Sequence, residues 1–207
     1  MSSREVMLAR VRDALTLAPP AALEIPRGYR TGRTMPDEQR RSLLVDRLVD
    51  YKAQVHTCEA GELASVLAGV LTELGATRVG VPAGLDESWL ASFGGEVVVD
   101  SADVPAPELS TLDAVVTSST VTCAETGTIF LDGSPDQGRR ALTLVPDVHV
   151  CVVALVSVEV GVPEALARLV PERPTTMISG PSATSDIELE RVEGVHGPRN
   201  LHVVIVG

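Results

Sequence analysis

Lysine is almost missing from this 207-residue chain: of its 17 basic residues all but Lys52 are arginine. A phosphate-binding P-loop needs a lysine followed by serine or threonine, and Lys52 is followed by Ala53. No G-x-G-x-x-G follows a strand pattern either, so P-loop, kinase and lysine Schiff-base chemistry are unsupported. Aromatic residues are equally scarce, with one Trp, two Tyr and two Phe. The core must therefore be aliphatic, and the scarcity argues against the stacking platforms that bind single-stranded nucleic acid. Three cysteines, Cys58, Cys123 and Cys151, lie far apart with no C-x-x-C. That spacing argues against iron–sulfur clusters, structural zinc and a disulfide framework, and it suits a reducing cytoplasm. The first residues are charged and lack the apolar stretch of a signal peptide. The longest apolar run, Val148–Val158, contains His149 and Ser157 and is too short to span a bilayer. No flavin, nicotinamide or metal motif is present, so no cofactor and no metal are expected.

What remains is an ordinary globular composition, 44% hydrophobic and 22% charged, with a formal charge of −11. An acidic chain lacks the basic face that nucleic acid requires. The charge is uneven: residues 1–52 carry ten basic and seven acidic side chains, and residues 53–207 carry seven and twenty-one. A mildly basic arm thus precedes an acidic body, either to dock on it or on a partner, or simply as solvated helical surface.

Ser2 and Glu5 have capping-box spacing, and Met7, Leu8, Val11 and Leu15 share one stripe, which predicts a helix over Ser3–Leu15. Prolines and glycines then break regular structure until Pro36, which suits the first position of a helix running to Lys52. Short aliphatic runs alternate with helical patterns from Gln54 onward. Strands are expected at Gln54–Cys58, Arg78–Val81, Glu96–Asp100, Ala114–Thr117, Val121–Ala124, Thr128–Leu131, His149–Val156, Thr176–Ile178 and Leu201–Val206. Helices are expected at Gly61–Leu74, Asp86–Ser92 and Pro163–Leu169. The fold class is α/β: a mostly parallel layered sheet with helices on both faces, over residues 36–207, preceded by an N-terminal helix and extended arm over residues 1–35.

In such a sheet ligands bind at the carboxyl ends of the strands. Four segments carry suitable chemistry. In Cys123–Thr128, Glu125 sits between two strand-like runs and could serve as base, nucleophile or acceptor. Beside it lie Thr126 and Thr128, with Gly127 letting the backbone approach a ligand; an exposed hairpin is the competing reading. In Ser179–Glu188, Gly180 turns the chain, and Ser182, Thr184, Ser185 and Asp186 lead toward a helix start whose free amides favour an anion. Simple helix capping is the competing reading there. His196, between Gly194 and Gly197, could act as acid or base near neutral pH. Arg139 and Arg140 could receive a carboxylate or phosphate. His56, His149 and His202 fall in strand patterns and read as packed or hydrogen-bonded.

Taken in order, Ala124–Thr128, Gly138–Arg140 with Leu144–His149, Gly180–Glu188 and Gly194–Pro198 resemble the LUD-domain family, over nearly the whole chain. The resemblance implies a layered α/β sheet similar to the sugar isomerase/CoA transferase-like fold. It also implies a place in the oxidation of L-lactate to pyruvate, alongside two iron–sulfur proteins, one of which carries its own LUD domain joined to cysteine motifs. Lacking such cysteines, this chain fits the cluster-free accessory component, binding a small organic anion. The alternative is an independent enzyme of acyl-CoA or sugar-phosphate type, with Glu125 as nucleophile or base; a ligand sensor is a third possibility.

Overall fold

The computed structural model describes residues 2–17, 24–184, 192–193 and 197–207. The chain divides into two compact units, Met1–Arg30 and Thr31–Gly207. The first holds helix α1 (Ser3–Leu17), which buries none of its residues. The capping box forms as expected: Ser2 N–H donates to Glu5 Oε2 at 2.6 Å and Glu5 N–H to Ser2 Oγ at 3.3 Å.

In the second unit α2 (Asp37–Asp50) leads to β1 (Gln54–Cys58), a 3-10 turn and α3 (Leu63–Glu73). Then come β2 (Arg78–Val81), a 3-10 turn at Glu87–Leu90, β3 (Glu96–Val99), a 3-10 turn at Ala106–Thr111, and β4 (Ala114–Thr117). A hairpin follows, β5 (Val121–Cys123) and β6 (Thr128–Leu131), then α4 (Arg140–Leu144), β7 (Val148–Ala154), β8 (Val158–Glu159) and α5 (Val162–Leu166). The chain closes with β9 (Thr176–Ile178), the short β10 (Ala183–Thr184) and β11 (Val192–Glu193), and β12 (Asn200–Val206).

Six strands make one all-parallel sheet in the order β1-β12-β7-β4-β2-β3. A second sheet, β8-β5-β6-β9, is mixed. Side chains alternate across the parallel sheet, so its aliphatic strands feed two cores. Val79, Val116, Val150, Val152 and Val204 pack under α3 and the Glu87–Leu90 turn. Cys151, Val153, Val203 and Ile205 face Leu44 and Leu48 of α2 and Ile129 and Leu131 of the second sheet. Leu142 of α4 joins that second face beside Val115 and Leu112. Gly75, in the left-handed region at φ 67°, ends α3 and donates to Thr72 O, as its position predicts.

Two expectations are corrected and one helix is added. Over Asp86–Ser92 the structure forms a 3-10 turn, Glu87–Leu90, with Asp86 capping it through Ser88 N–H at 2.9 Å. Arg140–Leu144, for which no element is expected, is a short helix that places Leu142 in the core. No helix begins at Ser182–Thr184: Ala183 and Thr184 are extended and pair antiparallel with Glu193 and Val192. Ser185, Asp186 and His196 lie outside the described residues. No helix among those described is long and apolar enough to cross a membrane.

Three strand histidines are neutral elements of this packing. His149, 1% exposed, meets Thr117 Oγ1 through Nε2 at 2.8 Å, and burial drives its pKa down to about 4. The rings of His56 and His202 stack nearly parallel, Nε2 to Nδ1 at 3.3 Å; burial lowers both pKa values, and each imidazolium would repel the other. An unfolded imidazole takes a proton near pH 6.5, and the folded chain resists doing so. Stability is therefore full above about pH 6.5 and falls as pH drops from there toward 4, by roughly 1.4 kcal/mol per unit for each excluded proton. The depressed carboxylates, including Asp132 and Asp147, titrate below that window. Urea titrations from pH 7 to 4.5 should show the midpoint falling, and His149→Gln should flatten the slope.

Candidate functional site

A cavity of about 320 Å3 lies between the two sheets. Its floor is His149 and Leu201, register partners at the amino ends of β7 and β12. One wall is α4, through Arg140, Thr143 and Leu144; the other is β9 and the turn after it, Thr176–Ser182, closed by Gly197 and Pro198. The expected place was the carboxyl ends of the strands. Over β2, β3 and β4 that position is filled by the loop from Asp132 to Arg139. Ser118 N–H donates to Asp136 O at 3.1 Å and Gly84 N–H to Pro135 O at 2.9 Å. A smaller, mainly apolar cavity of about 300 Å3 lies beside the ends of β2 and β3, lined by Val81, Leu85, Leu90, Val97 and Val99 among others.

The two adjacent arginines have different fates. Arg139 forks onto buried Asp100, Nε to Oδ2 at 2.9 Å and Nη2 to Oδ1 at 2.8 Å, and also donates to Val104 O at 2.7 Å. The carboxylate that Arg139 receives is thus the protein's own, and it locks the loop in place. Arg140 is exposed at the cleft, and its guanidinium has no hydrogen bond or ion pair among the described residues. With Thr143 and Thr176 it also borders a second cavity of about 490 Å3, formed under Gly133–Gly138 and Pro174.

The Glu125 turn reaches the cleft only indirectly. Glu125 lines none of the cavities described here; Arg33 grips it in a two-pronged ion pair, Nη1 to Oε1 at 3.1 Å and Nη2 to Oε2 at 2.6 Å. Arg33 N–H also donates to Glu164 Oε1 at 3.0 Å, so Glu125 and Glu164 together pin the segment before α2. Gly127, at φ 61°, brings the turn against the backbone of Arg47 rather than against a ligand. Thr126 and Thr128 do point the right way. Thr126 Oγ1 donates to Thr128 Oγ1 at 2.8 Å, and Thr128 meets Ser179 Oγ of the cleft wall at 2.9 Å.

Of the other expected residues, Gly180 and Ser182 line the cleft, and Ser182 N–H donates to Pro198 O at 2.8 Å, stitching two parts of the rim. Thr184 pairs through its backbone in β10. His149 and Thr143 were not foreseen as site residues, and Ser179 only as the first residue of the Ser179–Glu188 segment. For His149 the available signal was a single polar side chain in the otherwise aliphatic run Val148–Ala154. Arg199, just before β12, forks onto Asp147, just before β7, at 2.6 and 2.8 Å. That guanidinium holds the Asp147 carboxyl below its ordinary range, against the opposing effect of partial burial, and ties together the strand ends that carry the floor.

Gly180 sets the position of the second wall. Its φ is 81°, and a Cβ there would come within 2.6 Å of Tyr51 O. Gly180→Ala should therefore cost about 2 kcal/mol in urea denaturation, from the strained backbone and the clash together. It should also displace Ser182 from the cleft.

Known proteins resemble much of this chain. Lactate utilization protein C of Deinococcus radiodurans is 50% identical over 167 residues, covering 78% of this chain and 77% of that protein. Lactate utilization protein C of Oceanobacillus iheyensis is 28% identical over 128 residues, 57% of this chain and 50% of that one. The crystal structure of a DUF162 family protein from Deinococcus radiodurans superposes with a TM-score of 0.72 at 38% identity, covering 84% of this chain and all of that one. The family model described as the LUD domain matches residues 42–206, which takes in most of α2, both sheets and every described residue of the cleft, and the chain belongs to the LUD-domain family.

Proposed function

We propose that this protein serves lactate utilization as a cluster-free accessory component that binds a small organic anion, lactate or pyruvate, in the cleft between its sheets. The role in lactate utilization draws support from the relatives of that name, above all the Deinococcus protein at 50% identity. The observation that carries the ligand reading is the state of Arg140. A guanidinium with no partner among the described residues borders a cleft that also offers Thr143, Ser179 and Ser182. A carboxylate docked there gains a charge-assisted, two-pronged contact without breaking an existing ion pair. Thr143 is held by the Arg140 carbonyl at 3.3 Å and Ser179 by Thr128, so the hydroxyls are oriented before a ligand arrives. The cavity is of a size for a small carboxylate with ordered water rather than for a large cofactor.

The partners proposed for it are the iron–sulfur proteins that carry the electrons, because this chain's buried, separated cysteines form no cluster motif. The competing reading, an independent enzyme with Glu125 as nucleophile or base, finds less support. That carboxylate is held by Arg33, and it lines none of the cavities described here.

Titration calorimetry should detect lactate or pyruvate binding to the full chain, weakening with salt. Arg140→Ala should weaken it about tenfold to a hundredfold, the usual value of a hydrogen-bonded charge contact, whereas Arg139→Ala should act mainly on stability. Equal affinity in wild type and Arg140→Ala overturns the ligand reading. A tagged chain from lactate-grown cells should bring down partners with the visible absorbance of iron–sulfur clusters. Capture of only colourless material would count against the accessory role.

A further inference from the structure

His149 is the one ionisable side chain among the described residues that is both fully buried and part of the cleft wall. It occupies the floor, between Val115 of β4 and Leu201 of β12 in the strand register. A buried imidazole in an aliphatic sheet costs stability unless its nitrogens are satisfied. The single hydroxyl proton of Thr117 has three acceptors in reach: the Ser118 carbonyl at 3.0 Å, Cys151 Sγ at 3.9 Å and His149 Nε2 at 2.8 Å. Donated to the Ser118 carbonyl, it leaves the 2.8 Å contact to run the other way, with His149 Nε2–H donating to Thr117 Oγ1. In that arrangement the ring, kept neutral by burial, has Nδ1 as a bare acceptor, with no partner among the described residues.

We infer that His149 carries its proton on Nε2 and is a specificity-determining residue of the cleft: its Nδ1 accepts a hydrogen bond from a ligand hydroxyl, so the site takes 2-hydroxy carboxylates in preference to 2-oxo or unsubstituted ones. The inference rests on the reading of the cleft as a carboxylate site. Arg140 holds the carboxylate shared by all three classes. His149 reads the neighbouring carbon, where lactate offers an O–H, pyruvate offers only acceptor lone pairs, and propionate offers nothing. An acceptor facing a keto oxygen is repelled, and one facing a methylene is left unpaired, so both analogues lose affinity. Thr117 acts through His149, as the positioning residue that sets the tautomer.

The test is calorimetry of L-lactate, D-lactate, pyruvate and propionate against the full chain, with 15N-histidine spectra of the same samples at pH 7. The expected result is at least tenfold tighter binding of one lactate enantiomer than of pyruvate or propionate. The spectra should show a His149 ring in the Nε2–H form, its Nδ1 signal moving on adding lactate but not propionate. His149→Phe should bring the lactate-to-propionate ratio to within about twofold. If that variant does not fold, the wild-type ratios and tautomer decide alone. Equal lactate and propionate binding to wild type, an Nδ1–H tautomer, or an undiminished ratio in folded His149→Phe overturns the inference while leaving the carboxylate site standing. Failure of all four acids to bind, or binding indifferent to Arg140→Ala, overturns the carboxylate site itself and the inference with it.

Discussion

The pairing of β7 with β12 is the constraint on which the rest of this structure depends. Seven consecutive register pairs, from Asn200 opposite Val148 to Val206 opposite Ala154, put the last strand of the chain at the heart of the parallel sheet. A parallel pair needs both faces covered, because its side chains are apolar on both sides. Val150, Val152 and Val204 supply one face and Cys151, Val153, Val203 and Ile205 the other, which recruits α3 to one side and α2 with the second sheet to the opposite side. The same register sets His149 beside Leu201, and the Arg199–Asp147 pair clamps the strand ends just before them. The cleft floor is thus a by-product of sheet registration.

The position of the cleft follows from competition for the strand ends. Parallel α/β sheets ordinarily offer their carboxyl ends to ligands because loops there are free to vary. Here the Asp132–Arg139 loop is built into that end. Asp132 is pushed up by burial, but hydrogen bonds from Ser134, Arg173 and Thr120 outweigh this and hold it at about 2, so the loop base stays ionised and fixed. Arg139 on Asp100 fastens the other end. With that loop committed to structure, the open volume lies on the side where the second sheet approaches the first, and Arg140 is the arginine that the loop leaves unspent.

Local chemistry was legible to the degree that a residue's partner is close in sequence. The Ser2–Glu5 box, Gly75 at the end of α3 and the hairpin around Glu125-Thr126-Gly127 all depend on contacts within a few positions. Roles that depend on distant partners were not legible. Glu125 reads as an exposed reactive carboxylate until Arg33, 92 positions away, is placed on it. Arg139 and Arg140 are indistinguishable as neighbours, and they separate only because Asp100 meets one of them. His149 reads as a packed strand histidine, which it is; that it also borders a cavity depends on β9 and α4 arriving from either side.

By itself, the amino-acid sequence determined the class of the fold, the aliphatic two-faced core and the exclusion of P-loop chemistry, because these depend on residue type and short-range period. It also carried the family resemblance, because ordered motifs survive without knowledge of their contacts. Tertiary structure alone decided which charges are spent on the protein and which have no ion-pair partner among the described residues. It also decided at which end of the sheet the cleft opens, because pairing of charges and closure of cavities are properties of distance in space, which the order of residues does not contain.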